Sequence, residues 1–426
     1  MGANPNTMTF KTVFIAEYQM SHFKEPVYQI FADTRLESDL EKGQVVSRSY
    51  ASDVQVNDMG ADGSYEPQAI VDTAETLTIN KEKEASIYIK KLDQLQAHLP
   101  LKQKYGRKLG NALVNQIDGD VLLAMYNGAG SALDDGSFGG TAGNGYDISP
   151  SNVATAFTMA MQKLRLKNVV YNKRFHAGMK LEVPEGMPVC AISAEILTAI
   201  ELYLGGKDTL LGDKASTNGY TGYFHGFECF LSNALPWTAT LELATIPTAA
   251  DTITINGVVL TAAANGAAAA AGEYSISTTN DLAGANLAAL INGTGTPGAT
   301  TYIELSAANR RLLKNITATY TAATDKLTLV AGGKGSVPVS EGLTPAGDIW
   351  TVGLQTVKCI FALSKSCSLV VQKKPDLEEN FVSRKIGRDF IAWTVYGIKV
   401  FVDQAPQIVS LSVLSTNFSG ASDLPR

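Results

Sequence analysis

Histidines, cysteines, paired carboxylates and glycine-rich turns are where chemistry would first show in this chain. His22, His98, His176 and His225 lie far apart and form neither HxxxH nor HExxH, so no two sit one helical turn apart to hold a metal. Each reads as a surface residue or a core residue with its own partner. Cys190, Cys229, Cys359 and Cys367 make no CxxC and no metal-finger spacing, and free thiols of this kind fit a reducing compartment. Asp118-Gly119-Asp120 could be a metal-binding pair. On a helix, however, the two carboxylates stand about 200° apart, so a polar flank is expected. Gly128 and Gly130 begin like a dinucleotide loop, but Leu133 occupies the third glycine position and a helix ends there instead of starting. Gly205-Gly206-Lys207 is followed by Asp208 where a phosphate loop needs Ser or Thr, and its first glycine position is Glu201. GxSxG is absent. The sequons at Asn292, Asn315 and Asn417 are expected by chance in a Thr-rich chain. No set of residues supplies a nucleophile, its base and oxyanion donors together, so neither an enzyme nor a cofactor is expected.

Composition narrows the class further. The chain has 426 residues, 45% hydrophobic and 18% charged, against about 25% charged in typical soluble domains. Such a surface suits contact with other protein. A net charge of −6 without Lys/Arg clusters is no footprint for sequence-directed nucleic-acid binding. No apolar run approaches the roughly 18 residues of a membrane span, and the N-terminus lacks the basic, apolar and cleavage regions of a signal peptide.

The elements follow from periodicity. Residues 1–43 alternate short apolar groups with polar ones without a long period and read as an extended arm, with a short helix near Phe31–Leu40, that could bury little alone. Val45-Val46 and Val54/Val56 precede a turn-rich tip, Asn57-Asp58-Met59-Gly60-Ala61-Asp62-Gly63-Ser64. Leu77/Ile79 and Ile87/Ile89 then alternate around Lys81-Glu82-Lys83-Glu84, which reads as a solvated turn of a β-hairpin without a local partner. Tyr105, Leu109, Leu113, Ile117, Val121 and Met125 recur every four residues, predicting the core face of a long helix from Pro100 to Tyr126, about 40 Å in length. Asp135–Gly145 is expected to be a flexible loop, and Ser149–Asn152 to cap a second helix. Pro188–Ile192 reads as a buried strand, Ser193–Leu204 as a helix, Tyr223–Leu231 as one alternating strand, and Phe390–Val402 as a long strand carrying Trp393, Tyr396 and Ile398.

Between Ala244 and Asp348 the composition changes: Cys, His, Met, Phe and Trp vanish, and Ala, Thr and Gly dominate. Thr252–Thr261 alternates around Asn256-Gly257, Asn280/Asp281 opens a helix, and Ile316–Thr321 pairs with Lys326–Val330. The segment is expected to be a self-contained α+β module.

Four motifs follow one another along the chain: Asp33-Thr34-Arg35-Leu36-Glu37 with Leu40–Val46, Leu92–Gln96 leading to Leu109–Leu113 and Ile117-Asp118, Phe224–Phe227 through Ser232-Asn233-Ala234-Leu235-Pro236, and Trp393–Ile398. In this order they resemble the major capsid proteins of tailed bacteriophages (the Hong Kong 97-type shell fold), and short-tailed phage coat proteins in particular. The module resembles a small domain recurring in phage structural proteins, through Asp251–Gly257 and Leu287–Asn292. The resemblance implies an α+β fold with an N-terminal arm (1–43), extended hairpin loop (44–92), spine helix and peripheral domain (93–185), axial domain (186–242), inserted domain (243–355), return strands (356–413) and C-terminal tail (414–426). It implies contacts between subunits through Asp33 and Arg35 of the arm and Asn57, Asp58, Met59, Asp62 and Tyr65 of the hairpin tip. It also implies pentamers and hexamers of an icosahedral head around double-stranded DNA, with scaffolding, portal and decoration proteins as partners and assembly in a bacterial cytoplasm. The alternatives are an encapsulin-like cage holding enzyme cargo, or another phage tail or adhesion protein.

Overall fold

In the computed structural model, the described residues are 26–37, 43–51, 72–91, 101–167, 186–206, 222–345, 347–381 and 386–415, with residue 169 and scattered positions between 54 and 69. Residues 1–25, 38–42, 92–100, 207–221 and 416–426, on which parts of the arm, the spine entry and the tail were expected, lie outside them.

The first strands are β1 (Ala32–Asp33), β2 (Val45–Ala51), β3 (Asp72–Thr78), β4 (Lys81–Lys90) and β5 (Ser131–Leu133). Then come β6 (Pro188–Ile192), β7 (Tyr223–Phe224), β8 (Phe227–Leu231), β9 (Trp237–Glu242), β10 (Thr252–Ile255), β11 (Val258–Ala263) and β12 (Glu273–Ser275). The last are β13 (Ile316–Thr321), β14 (Lys326–Ala331), β15 (Val339–Gly342), β16 (Thr356–Leu363), β17 (Cys367–Phe381), β18 (Gly387–Lys399) and β19 (Ile408–Leu414). A central nine-stranded sheet runs β13-β14-β9-β16-β6-β8-β7, with β19 on β16 and β5 on β19. Every residue of β16 is buried, because both faces of the sheet are covered. On one face Phe157 from the helix Val153–Leu166 meets Phe361 and Phe224 edge-on at 4.9 Å, and Phe227 closes the cluster 5.2 Å from Phe361.

A second sheet, β1-β17-β18-β4, supports the long helix Leu101–Asn127. This spine sinks along its length: Tyr105 and Leu109 are half-buried, whereas Leu113, Ile117, Val121 and Met125 are fully buried. Lys81–Glu84 does not turn. β4 pairs with β18 from Tyr396↔Lys81 to Gly387↔Lys90, so the charged run is strand, and the hairpin partner of β3 is β2. An edge strand tolerates alternating charges because one rim faces solvent. Tyr223–Leu231 is likewise two strands, folded at His225-Gly226, both with positive φ. The Asp135–Gly145 loop is fixed rather than loose. Asp134 accepts from Ser137 N–H at 3.0 Å and Gly143 N–H at 2.6 Å, and Asp135 from Thr141 N–H at 2.8 Å.

The segment 244–348 is not self-contained. Its β10–β11 hairpin forms at Asn256-Gly257 (φ 51° and 78°) within a separate four-stranded sheet, β12-β11-β10-β15. Its β13–β14 hairpin, however, extends the central sheet, with β14 matching β9 from Lys326↔Glu242 to Ala331↔Trp237. The outer strand β13 is covered midway by Asn292, whose side-chain amide donates to Ala318 C=O at 2.7 Å and accepts from Ala318 N–H at 2.8 Å. Entry and exit of the segment grip each other reciprocally. Asp251 accepts from Thr344 N–H (3.0 Å) and Oγ1 (2.5 Å), and Asp348 from Thr245 N–H (3.0 Å) and Oγ1 (3.2 Å).

Candidate functional site

The base of the β2–β3 hairpin is anchored on its own body. Leu77 and Ile79 are buried with Val370 and Phe401 in a small separate core. Arg48 pairs with Asp403 and lies 4.3 Å over the Phe401 ring. Lys399 Nζ donates to Thr76 C=O at 2.9 Å, and Glu75 accepts from Val402 N–H at 3.3 Å. Hydrophobic burial and charge-assisted hydrogen bonds together fix where the hairpin leaves the molecule.

Its far end is different. Val54, Val56, Met59 and Tyr65 are 82%, 100%, 70% and 81% exposed, and Asn57, Asp58 and Asp62 are exposed beside them. Asp62 accepts from Ser64 N–H at 3.1 Å and Ser64 Oγ at 2.6 Å, a turn that holds its carboxyl below the usual range. Val54, Val56, Met59 and Tyr65 lie in the segment between β2 and β3, beyond the paired strands, and are exposed there.

The arm residues sit elsewhere. Val27, Phe31 and Ala32 are buried in the same core as the spine residues Ile117, Val121 and Met125. Asp118 Oδ1 accepts from Val27 N–H at 2.9 Å and Tyr28 N–H at 2.7 Å, satisfying the open N-terminus of the short helix Tyr28–Phe31. Asp33 is buried in β1 beside Ser368 of β17 and accepts from Arg35 Nε at 3.0 Å. Burial pushes its carboxyl up, but hydrogen bonds from Arg35 outweigh this and hold it below the usual range. Within this pair Arg35 faces solvent, its side chain 73% exposed.

On β18, Trp393 is half-buried, donates from Nε1 to Glu378 Oε1 at 2.7 Å and lies 4.4 Å beneath Lys373 Nζ. Tyr396 is buried and donates to Asp120 Oδ2 at 2.8 Å, while Ile398 is half-buried. The spine and strand residues therefore form the rigid body, and the tip residues its exposed projection. The polar flank expected at Asp118 and Asp120 is instead buried, and each carboxylate holds a structural partner. A Cβ at Gly119 would collide with the Gly333 backbone, where the spine crosses the segment after β14.

Among the described residues no group of three or more His, Cys, Asp or Glu side chains could hold a metal ion, and no helix is long and apolar enough to cross a membrane. His225 meets Phe224 and Thr158 rather than another ligand.

No family model matches the sequence, and no curated protein is similar to it in sequence. Solved structures are similar in fold. One is a Mycobacterium phage Che8 structure, 14% identical over 91% of this chain and 91% of that one, with a TM-score of 0.52. Another is the capsid structure of the cyanophage P-SCSP1u, 11% identical over 95% of this chain and 93% of that one, with a TM-score of 0.51. The chain has the mixed α+β, Hong Kong 97-type fold of phage capsid structures, with sheets predominating over helices.

Proposed function

We propose that the chain is the major capsid protein of a tailed phage, assembling as pentamers and hexamers into an icosahedral head around packaged double-stranded DNA. The observation that carries this reading is the hairpin: its base is buried in its own body, and its tip presents Val54, Val56, Met59 and Tyr65 to solvent. Neighbouring copies supply the missing cover. Head-to-tail contacts of this kind close into rings, and several weak contacts per subunit multiply into a stable shell. A chain of net charge −6 makes a wall that does not grip the genome it surrounds. The role is structural, without catalysis. Scaffolding, portal and decoration proteins are the further partners of such a head, and the bacterial cytoplasm is its place of assembly.

Size-exclusion chromatography with light scattering tests the reading. Pentamers, hexamers or larger shells are expected as concentration rises; a monomer at every concentration would overturn it.

A further inference from the structure

Cys190 on β6 and Cys229 on β8 stand directly opposite each other in a parallel pair of strands, with their sulfur atoms 3.4 Å apart. Neighbouring strands are spaced at about 4.8 Å, within the roughly 4.4–6.8 Å Cα separation that a disulfide spans. Both sulfurs already face each other, so closure needs side-chain rotation rather than strand movement. Neither thiol has a part in the shell contacts described above. The two differ in access: Cys190 is fully buried and Cys229 half-buried. Burial, first of all, pushes the Cys190 thiol up, with the neighbouring Cys229 adding to it, so Cys190 is a poor first target for an oxidant.

We propose that Cys190 and Cys229 form an oxidant-closed pair, in which a hydroperoxide converts the two free thiols into a disulfide that staples β6 to β8. Hydrogen peroxide transfers one oxygen to the Cys229 sulfur, giving a sulfenic acid and a molecule of water. The Cys190 sulfur then attacks the sulfenic sulfur. The S–O bond breaks, and the departing hydroxide takes the Cys190 proton to leave as a second water. Two thiols and one peroxide thus become one disulfide and two waters. The closed loop includes the helix Ala194–Gly205 and the exposed Leu202 and Tyr223, so a flank of the central sheet becomes covalently tied. A protein folded with free thiols in reducing surroundings would acquire this tie on reaching oxidising ones. The chemistry does not depend on the capsid reading, and its failure would leave that reading intact.

The test is treatment of the native full-length protein with stoichiometric hydrogen peroxide, followed by thiol titration in denaturant and peptide mass spectrometry without reduction. Of the four cysteines, two are expected to lose reactivity, and one cross-linked peptide is expected to join the segments holding Cys190 and Cys229. Cys359→Ser should preserve the link. Cys190→Ser should leave a Cys229 sulfenic acid that dimedone captures, a readout independent of any loss of stability. Linkage of Cys229 to Cys359, further oxidation of Cys229 in the wild type without linkage, or four thiols still free would each overturn the proposal.

Discussion

The hydroxyl of Tyr396 donates to Asp120 at 2.8 Å, bolting the middle of β18 to the spine helix. The same carboxylate pairs with Lys81 of β4 at 3.2 Å and accepts from Gln116 at 3.1 Å. One acid therefore ties the helix to two adjacent strands of the sheet beneath it. Tyr396→Phe removes one donor and leaves the buried carboxylate short of a partner, at a cost of about 1–3 kcal/mol. Urea denaturation of the variant should show a lower midpoint with an unchanged slope.

Asp120 and its neighbour Asp118 show how much of the molecule was legible in the sequence. Their separation of about 200° around the helix follows from helical geometry. That separation is why they bond in different directions: Asp118 to Val27 and Tyr28 of the arm, Asp120 to Tyr396 and Lys81. What the local pattern could not show was that the helix is buried on both sides. The same reason explains Lys81–Glu84. Four charges in a row look like a turn until β18, some three hundred residues later, supplies the strand beside them. By contrast the Asn256-Gly257 hairpin and the four-residue period of the spine are local signals, and both elements formed where expected. The merger of β14 with β9 is a long-range pairing without any local signature.

That merger changes what excision of the inserted segment should do. Removing residues 244–348 strips six matched pairs from β9 and takes away the Gly333 backbone against which the spine packs. The excised protein is expected to lose cooperative unfolding or to aggregate through the bared β9 edge. Circular dichroism melting decides this, and a wild-type-like melt would show that the segment is dispensable for folding.

The hairpin tip has the opposite expectation. Deleting residues 57–64 touches none of the buried contacts at Leu77, Ile79 and Phe401. The melt should stay within a few degrees of wild type, as about 0.5 kcal/mol is usual for surface changes. Assembly into particles should fail. Light scattering compared with circular dichroism separates the two effects.

The paired contacts of Asp251 with Thr344 and of Asp348 with Thr245 give a pH signature. Burial pushes the Asp251 carboxyl up, but its bonds from Thr344 and Thr248 overcome this and hold it below the ordinary value of 3.8. Asp251 therefore contributes stability that is full above the ordinary carboxylate range and lost as pH falls through its lower folded value. Asp348 is raised, chiefly by burial, so it takes its proton first on acidification and favours the fold as it does so. Asp251→Asn should cost more stability at pH 7 than Asp348→Asn, and its cost should shrink below pH 3.8. Denaturant midpoints for both variants, measured from neutral to acid pH, check the order.

Electron cryomicroscopy of the purified, assembled protein measures the central relationship most directly. The account predicts closed shells in which Val54, Val56, Met59 and Tyr65 of each copy are buried against a neighbouring copy. Shells whose hairpin tips stay bare in solvent, or a field of lone subunits at high concentration, would contradict it.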